Sequence, residues 1–383
     1  MFRKSIIIVL VLLFQIFTAF IFSFFPNFVN AQTIPSSLGW YQIPNTKLKN
    51  VCPPNNFGGS GYPFTDMCQN VTEAWNSAVF DTTRNRLIIW GGGHGDYYGN
   101  EIYALNLNTL TIQRITDPGL PLGSETTCQE AIAGSIQPNS RHTYDGITYM
   151  PNVDRMFAFG GSLACGGGSF STGTWTYAFT TMNWQKMNPT GAIPSAVPGV
   201  VTAYDPNTGK VFLHDSNYLY AYTFSSNAYQ RLSGDNPINY HMTATIDPKR
   251  KKFVIVGAGN VYAYDIGSGS SYSRQTLSTT GGSSIVNSDY PGLAYDPISD
   301  RIVAWNGGNT VYSLNLDTRV WATTTYTGGP GPAIPAGTYK RWSYSPGLNV
   351  FVTINSVDNN AYTFRLGGTA DPPPAPPASL VIQ

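Results

Sequence analysis

The 383-residue sequence carries little charge. Only 11% of its residues are charged, and 22 Lys and Arg against 21 Asp and Glu leave a net charge of +1. Proteins that bind nucleic acids need a dense positive patch, so this composition argues against a nucleic-acid partner. Aromatic residues make up 14% of the chain, and aromatic side chains are enriched in β-strands.

Several common catalytic motifs are missing. The sequence has no Gly-x-Ser-x-Gly elbow, no phosphate-binding glycine loop and no His-Glu-x-x-His pair. Serine hydrolase, nucleotide-binding and zinc protease functions therefore have no support. The sequence requires no cofactor, and a structural or catalytic cation is compatible with it.

The chain has only one long hydrophobic run. It follows the charged start MFRK, continues through SIIIVLVLLFQIFTAFIFSFF and precedes Val29-Asn30-Ala31. These features are typical of a signal peptide, so residues 1–31 are predicted to direct secretion. An uncleaved signal anchor is the alternative, because the run approaches the ~20 residues that span a bilayer. No other membrane partner is expected.

The chain has four cysteines. In an exported protein they favour disulfides over metal or redox chemistry. Their positions favour Cys52 with Cys68 and Cys128 with Cys165, although four cysteines allow three connectivities.

One pattern recurs six times: an apolar run, a tyrosine or its stand-in, Asp-Pro or a relative, a few turn residues, and a second apolar run. The copies are AVFDTTRNRLIIWGGG, ITYMPNVDRMFAFGG, TAYDPNTGKVFLHDS, ATIDPKRKKFVIVGAG, LAYDPISDRIVAWNGG and WSYSPGLNVFVTINS. They lie about 42 to 69 residues apart, and a period near 40–50 residues is typical of propeller blades.

Each copy continues into an alternating strand, such as EIYALNL or VYAYDI, and often into a fourth strand such as NWQKM. Four antiparallel strands make one blade, and blades bury their faces only by closing around an axis. GWYQIPNT at Gly39 resembles an orphan outer strand, and the last copy has no fourth strand. We therefore predict an all-β, six-bladed propeller over residues 32–367 whose last blade is completed by the N-terminal strand. Seven blades are the alternative.

The Gly-Gly after the second strand, with a later Tyr and Trp, resembles the kelch repeat from about Glu73 to Leu366. This resemblance implies a kelch-like propeller and does not specify a function. Beyond it, residues 368–383 are proline-rich, as in a tail or linker.

Propeller topology places the loops that enter each blade and the loops after each second strand on one face. All four histidines fall in these loops. Five of the six copies carry an aromatic ring five residues before the tyrosine position. These are Trp75, Tyr144, His241, Tyr290 and Tyr339, with Gly199 in the sixth. We expect the rings to form either an axial plug or the floor of a ligand site.

The loop WGGGHGDYYGNEIYAL is the strongest single motif. His94 could act as a general base, Tyr97 or Tyr98 as a proton donor, and Asp96 could orient His94. Asn100 follows them as a candidate substrate ligand. The alternative is a loop whose polar side chains cap their own backbone.

The longest insertion, SETTCQEAIAGSIQPNSRHTYDG, enters the second copy. Its Arg141 could clamp a carboxylate or form a surface ion pair. We predict one pocket that joins this loop to the others. Its candidate catalytic residues are His94, Arg141, His142, Tyr144, His241, Tyr339 and Arg341, and its candidate substrate-binding residues are Asp96, Tyr97, Tyr98, Asn100, Trp75 and Tyr290.

This set of residues resembles the sites of secreted propeller polysaccharide lyases that act on uronic-acid-containing glycans. The resemblance implies β-elimination in a polysaccharide or oligosaccharide, with a histidine as the base, a tyrosine as the proton donor and an arginine that binds the carboxylate. The protein is expected to be a monomer. A non-catalytic carbohydrate- or protein-binding propeller is the alternative. A second alternative is a radical copper oxidase, because the chain is similar in fold to galactose-oxidase-like enzymes, but a cysteine would then have to leave its disulfide.

Overall fold

The computed structural model of the chain is a six-bladed β-propeller, described for residues 33–123, 126 and 128–367. Each innermost strand packs against the innermost strands of both neighbouring blades, so the ring is closed. The all-β class, the number of blades and the four-stranded antiparallel blades are confirmed.

Within each blade the strands run outward from the axis, and in blade 6 the outermost strand comes from the N-terminal part of the chain. The strands are Ala78–Asp81, Arg86–Ile89, Tyr103–Asn106 and Thr111–Arg114 in blade 1; Ile147–Met150, Arg155–Phe159, Thr174–Ala178 and Asn183–Met187 in blade 2; Val201–Asp205, Lys210–His214, Leu219–Thr223 and Ala228–Arg231 in blade 3; Thr243–Asp247, Lys252–Gly257, Asn260–Asp265 and Arg274–Thr276 in blade 4; Gly292–Asp296, Arg301–Trp305, Thr310–Asn315 and Val320–Thr325 in blade 5; Trp342–Ser345, Val350–Thr353, Tyr362–Arg365 and Gly39–Gln42 in blade 6.

Short elements decorate the blades. Thr190–Gly191 pairs in parallel with the outer strand of blade 3, and Arg141–His142 pairs with Ser162–Leu163 above blade 2. The helical turns are Leu48–Val51, Phe57–Gly59, Phe64–Met67, Asn70–Glu73, Ser283–Val286 and Tyr339–Arg341.

The N-terminal strand closes the last blade, as predicted. Gly39–Gln42 pairs antiparallel with Tyr362–Arg365. The Trp40 ring packs against Phe364, Trp305 and Trp342 with centroids 4.8 to 5.8 Å apart. The Trp40 indole also donates a hydrogen bond to the Asn309 carbonyl in blade 5. The closing strand therefore contacts two blades.

The recurring tyrosine has a structural role at the turn between the first two strands. Its hydroxyl donates to a side chain five residues later: Tyr149 to Asp154, Tyr295 to Asp300 and Tyr344 to Asn349, at 2.8 to 2.9 Å. Each acceptor has a positive φ near 50°, a conformation that Asp and Asn tolerate better than most residues. The bond therefore fixes the tight turn.

The hydrophobic core lies between blades. One cluster joins Val79, Ile88 and Trp90 of blade 1 to Met156 and Trp175 of blade 2, and similar clusters fill the next interfaces. Both faces of a blade are thus buried by its neighbours, which is why closure is required.

Both predicted disulfides are present, Cys52–Cys68 and Cys128–Cys165. The second joins the long insertion to the loop after the second strand of blade 2. No helix within the described residues is long and apolar enough to cross a membrane. The predicted signal peptide and the proline-rich segment 368–383 lie outside those residues.

A buried ion pair lies at the axis. Lys340 Nζ is 2.8 Å from Asp145 Oδ1 and donates to the Ile147 carbonyl and the Thr202 hydroxyl. Asp145 Oδ2 accepts from the backbone amide of Ala244. The pair therefore joins the blade 6 entry segment to blades 2, 3 and 4. Burial raises the pKa of Asp145 to about 6 and lowers the pKa of Lys340.

Removing one partner of this pair should destabilise the ring strongly. Lys340→Met or Asp145→Asn alone should each lower the free energy of unfolding by about 3–5 kcal/mol, because a buried charge loses its partner. The double variant should lose clearly less than the sum of the two. Denaturant unfolding of the four proteins measures this difference, and additive losses would show that the two side chains are not coupled.

Candidate functional site

A cavity of about 650 Å³ opens over the axis on the face where the innermost strands begin. This volume lies within the usual range for ligand pockets. The lining residues are Trp75, His94, Asp96, His142, Tyr144, Ser162, Gly167, Gly168, Ser169, Phe170, Pro198, Tyr240 and Tyr290.

A histidine–aspartate pair lies on one wall. Asp96 Oδ2 is 2.8 Å from His142 Nε2. The hydrogen bond from His142 lowers the pKa of Asp96. The ring of His94 stacks on that of His142, with centroids 5.6 Å apart and planes 19° apart. Asp96 therefore orients His142 rather than His94, the partner expected from the sequence.

Backbone bonds fix the two loops that carry this pair. The amide of Gly92 donates to the Arg141 carbonyl, and the amide of His94 donates to the Leu163 carbonyl. Gly93 has φ +86°, and a Cβ there would lie 2.0 Å from the His142 nitrogen. Only glycine therefore lets the blade 1 loop pack this closely on the segment that carries His142.

The floor of the cavity is aromatic. Trp75, Tyr144 and Tyr290 form a cluster with Tyr339, which is fully buried against Tyr290 with ring centroids 5.1 Å apart. Burial raises the pKa of Tyr144 to about 12 and also raises the pKa of Tyr290. Both hydroxyls therefore stay protonated near neutral pH.

The ring positions share an unusual backbone. Trp75, Tyr144, Tyr290 and Tyr339 all have φ between 46° and 53°, and Gly199 has φ +67°. Aromatic residues rarely adopt this conformation. At each of these five positions the chain therefore turns sharply just before the innermost strand of its blade.

A second histidine–aspartate pair lies at the blade 4–5 boundary. His241 Nδ1 is 3.1 Å from Asp289 Oδ2. The His241 ring packs on Tyr290 and edge-on to Tyr240, with centroids 4.5 and 3.9 Å apart. His241 is thus connected to the cavity through two of its lining residues.

The two candidate arginines do not line the cavity. Arg141 is buried and bonds Glu130 Oε1 and the Gly160 carbonyl, each at 3.0 Å. Arg341 is also buried and donates to the carbonyls of Thr72 and Gly337; its burial lowers its pKa to about 10. No Lys or Arg is found among the described lining residues.

Three other candidates hold the blade 1 loop together. The hydroxyls of Tyr97 and Tyr103 donate to the buried carboxyl of Glu101 at 2.5 and 2.6 Å, and burial raises the pKa of Glu101. Asn100 accepts from the Gly119 amide and donates to the Pro138 carbonyl. Tyr98 is buried beside Tyr62. These side chains thus contact another side chain or neighbouring segments rather than the loop's own backbone, and none of the three lines the cavity.

Phe170, Pro198 and Tyr240 line the cavity but were not predicted from the sequence. Tyr240 directly precedes His241, and Phe170 lies in the glycine-rich loop after the second strand of blade 2. Both stand in the loop classes that share the entry face, and an aromatic residue in such a loop is the signal that could have identified them.

No protein-family model matches the chain, and no match is found among curated proteins. The kelch resemblance therefore has no support from a family, and the fold is established by the structure alone. No group of three or more His, Cys, Asp or Glu in the described part of the chain could hold a metal ion, and all four cysteines are in disulfides. The residues present thus do not fit the tyrosine–cysteine copper centre of galactose-oxidase-like enzymes.

The bond between Asp96 and His142 can be tested by titration. In His142→Ala the pKa of Asp96 should rise toward the ordinary value of about 3.9, because the donor that stabilises its charged form is removed. Carbon-detected NMR of the side-chain carboxyl measures it. His241→Ala is the control and should leave the Asp96 pKa in place, whereas an equal change in both variants would contradict a specific bond.

Proposed function

We propose that this protein is a secreted carbohydrate-active propeller that binds a saccharide in the axial cavity and acts on it by β-elimination. The observation that carries the proposal is the 2.8 Å bond between Asp96 and His142 inside an aromatic cavity. Aromatic walls suit sugar rings, and a histidine held by a carboxylate suits a general base. The two disulfides are typical of an oxidising compartment and support secretion.

The proposed reaction cleaves a uronic-acid-containing glycan. With its Nε2–H donated to Asp96, His142 carries a free lone pair on Nδ1, which takes the proton from the carbon beside the carboxylate. The released electron pair forms a carbon–carbon double bond, and the bond to the glycosidic oxygen breaks. Tyr144, whose pKa of about 12 keeps it protonated, gives its proton to the leaving oxygen.

The substrate carboxylate needs a cation or a hydrogen-bond donor beside it during this reaction. Neither Arg141 nor Arg341 lines the cavity, so the proposal assigns this role to a ring N–H of His94. His94 lies against His142 and its loop forms part of the cavity wall.

Non-catalytic carbohydrate binding is the second candidate. It is favoured by the position of both arginines outside the cavity and by the aromatic floor. A binding protein needs the rings but not the orientation of His142 by Asp96.

The proposal predicts specific losses of turnover. The secreted protein is incubated with a panel of uronic-acid polysaccharides while the absorbance of the unsaturated uronate product is followed. His142→Ala and Tyr144→Phe should each lower turnover about 10²-fold or more, since positioned proton transfer contributes at least that much. Asp96→Asn should also lower it, because His142 loses its orienting partner.

Asp265→Asn is the matched control, because it makes the same chemical change on a half-exposed carboxylate at the end of a blade 4 strand, away from the cavity. It should leave turnover unchanged. If His94→Ala and His142→Ala each keep turnover within a factor of about three, well short of the effect of a lost acid or base, the catalytic proposal is wrong and the binding function replaces it.

A further inference from the structure

The exposed aromatic rings of the described residues are concentrated at the cavity. Eight large hydrophobic side chains of this part of the chain are exposed, and Phe170 and Tyr240 are the aromatic ones among them, each 43% exposed. Both line the cavity. An exposed aromatic ring in the wall of a concave cavity is available to pack against a ligand.

The two histidine–aspartate pairs lie on opposite sides of the ring. Asp96–His142 bridges blades 1 and 2, and His241–Asp289 bridges blades 4 and 5. In a six-membered ring, blades 4 and 5 face blades 1 and 2. Phe170 belongs to the first side and Tyr240 to the second, and each side therefore has one exposed ring and one carboxylate.

Tyr240 takes the place of the ring that blade 3 lacks. A Cβ added to Gly199 would lie 2.4 Å from the Tyr240 carbonyl oxygen and 2.5 Å from its Cβ. Tyr240 thus fills the space that a side chain at Gly199 would occupy. Its ring is 43% exposed, whereas the floor rings of Tyr144 and Tyr290 are buried.

We propose that the cavity has two sugar-binding subsites, one beside Phe170 and Asp96–His142 and a second on Tyr240 beside His241–Asp289. The first subsite rests on the proposed function and holds the uronate. The second takes a neutral sugar unit, because the carboxylate of Asp289 is 55% exposed and is paired with one histidine, whereas Asp96 in the first subsite has both His142 and His94 beside it. Carboxylates accept hydrogen bonds from sugar hydroxyls and repel another carboxylate. The substrate class is therefore a glycan in which uronates alternate with neutral sugars.

Calorimetric titration with two ladders of oligosaccharides tests this proposal. One ladder is unsulfated chondroitin, which alternates a uronate with an uncharged sugar, and the other is oligogalacturonate; each is used at one, two and four units. The proteins carry Tyr144→Phe, which slows cleavage while keeping the ring and the Asp96–His142 pair of the first subsite. Affinity should rise about tenfold from one to two units on the alternating ladder, as one further aromatic contact typically supports, and should not rise on oligogalacturonate.

Tyr240→Ala should remove this gain in affinity with length, since an aromatic contact adds about a factor of ten. It should change the affinity for the monosaccharide by less than about threefold. Tyr240→Phe keeps the ring and should keep the gain, and Ile298→Ala, an exposed site 63% accessible in a turn of blade 5, controls for surface change. The proposal is overturned if affinity does not rise with length on the alternating ladder, or if Tyr240→Ala weakens all lengths by one factor.

Failure of the proposed catalysis gives a different result. If no polysaccharide yields an unsaturated product but affinity on the alternating ladder rises with length in a way that depends on Tyr240, the two-subsite proposal is supported and the β-elimination proposal is wrong. If Tyr240→Ala melts at the same temperature as the wild-type protein, unfolding is excluded as the reason why affinity no longer rises with length.

Discussion

The axial ion pair between Asp145 and Lys340 is the contact on which the cavity depends. Each partner directly follows a floor ring in sequence, since Tyr144 precedes Asp145 and Tyr339 precedes Lys340. The pair bonds the backbone of blades 2 and 4 and the Thr202 side chain of blade 3. Holding these strands together therefore also holds the two tyrosines over the axis. Buried charges destabilise a protein unless they are well hydrogen-bonded. The bonds of this pair offset that loss, and they join segments that belong to different blades.

The cavity is built at boundaries between blades. Each histidine–aspartate pair takes one partner from one blade and the other from the next. The distance within each pair is thus set by how neighbouring blades pack, and the cores between blades control the site geometry. The blade 1 loop is further attached to blade 2 through backbone bonds to Arg141 and Leu163.

The fold was predictable because its determinants are local and repeated. The turn pattern recurs in every blade, and the missing fourth strand of the last copy identified Gly39–Gln42 as its partner. The site was less predictable. Arg141 and His142 are neighbours in a short strand, so their side chains leave it on opposite sides; His142 reaches the cavity while Arg141 meets Glu130. The partner of Asp96 depended on how two blades meet, which one sequence does not reveal.

The closing strand imposes an order on biosynthesis. Gln42 pairs with Tyr362, a partner 320 residues further along the chain. A ribosome has made five blades and most of the sixth before that partner exists. Until then Gly39–Gln42 is an unpaired strand, the kind of edge that joins other chains. Its four-residue length limits that hazard, and the nearby Cys52–Cys68 bridge can form early because it spans only 16 residues. The strand that closes the ring is thus synthesised before every blade and can pair only after the last one has been made.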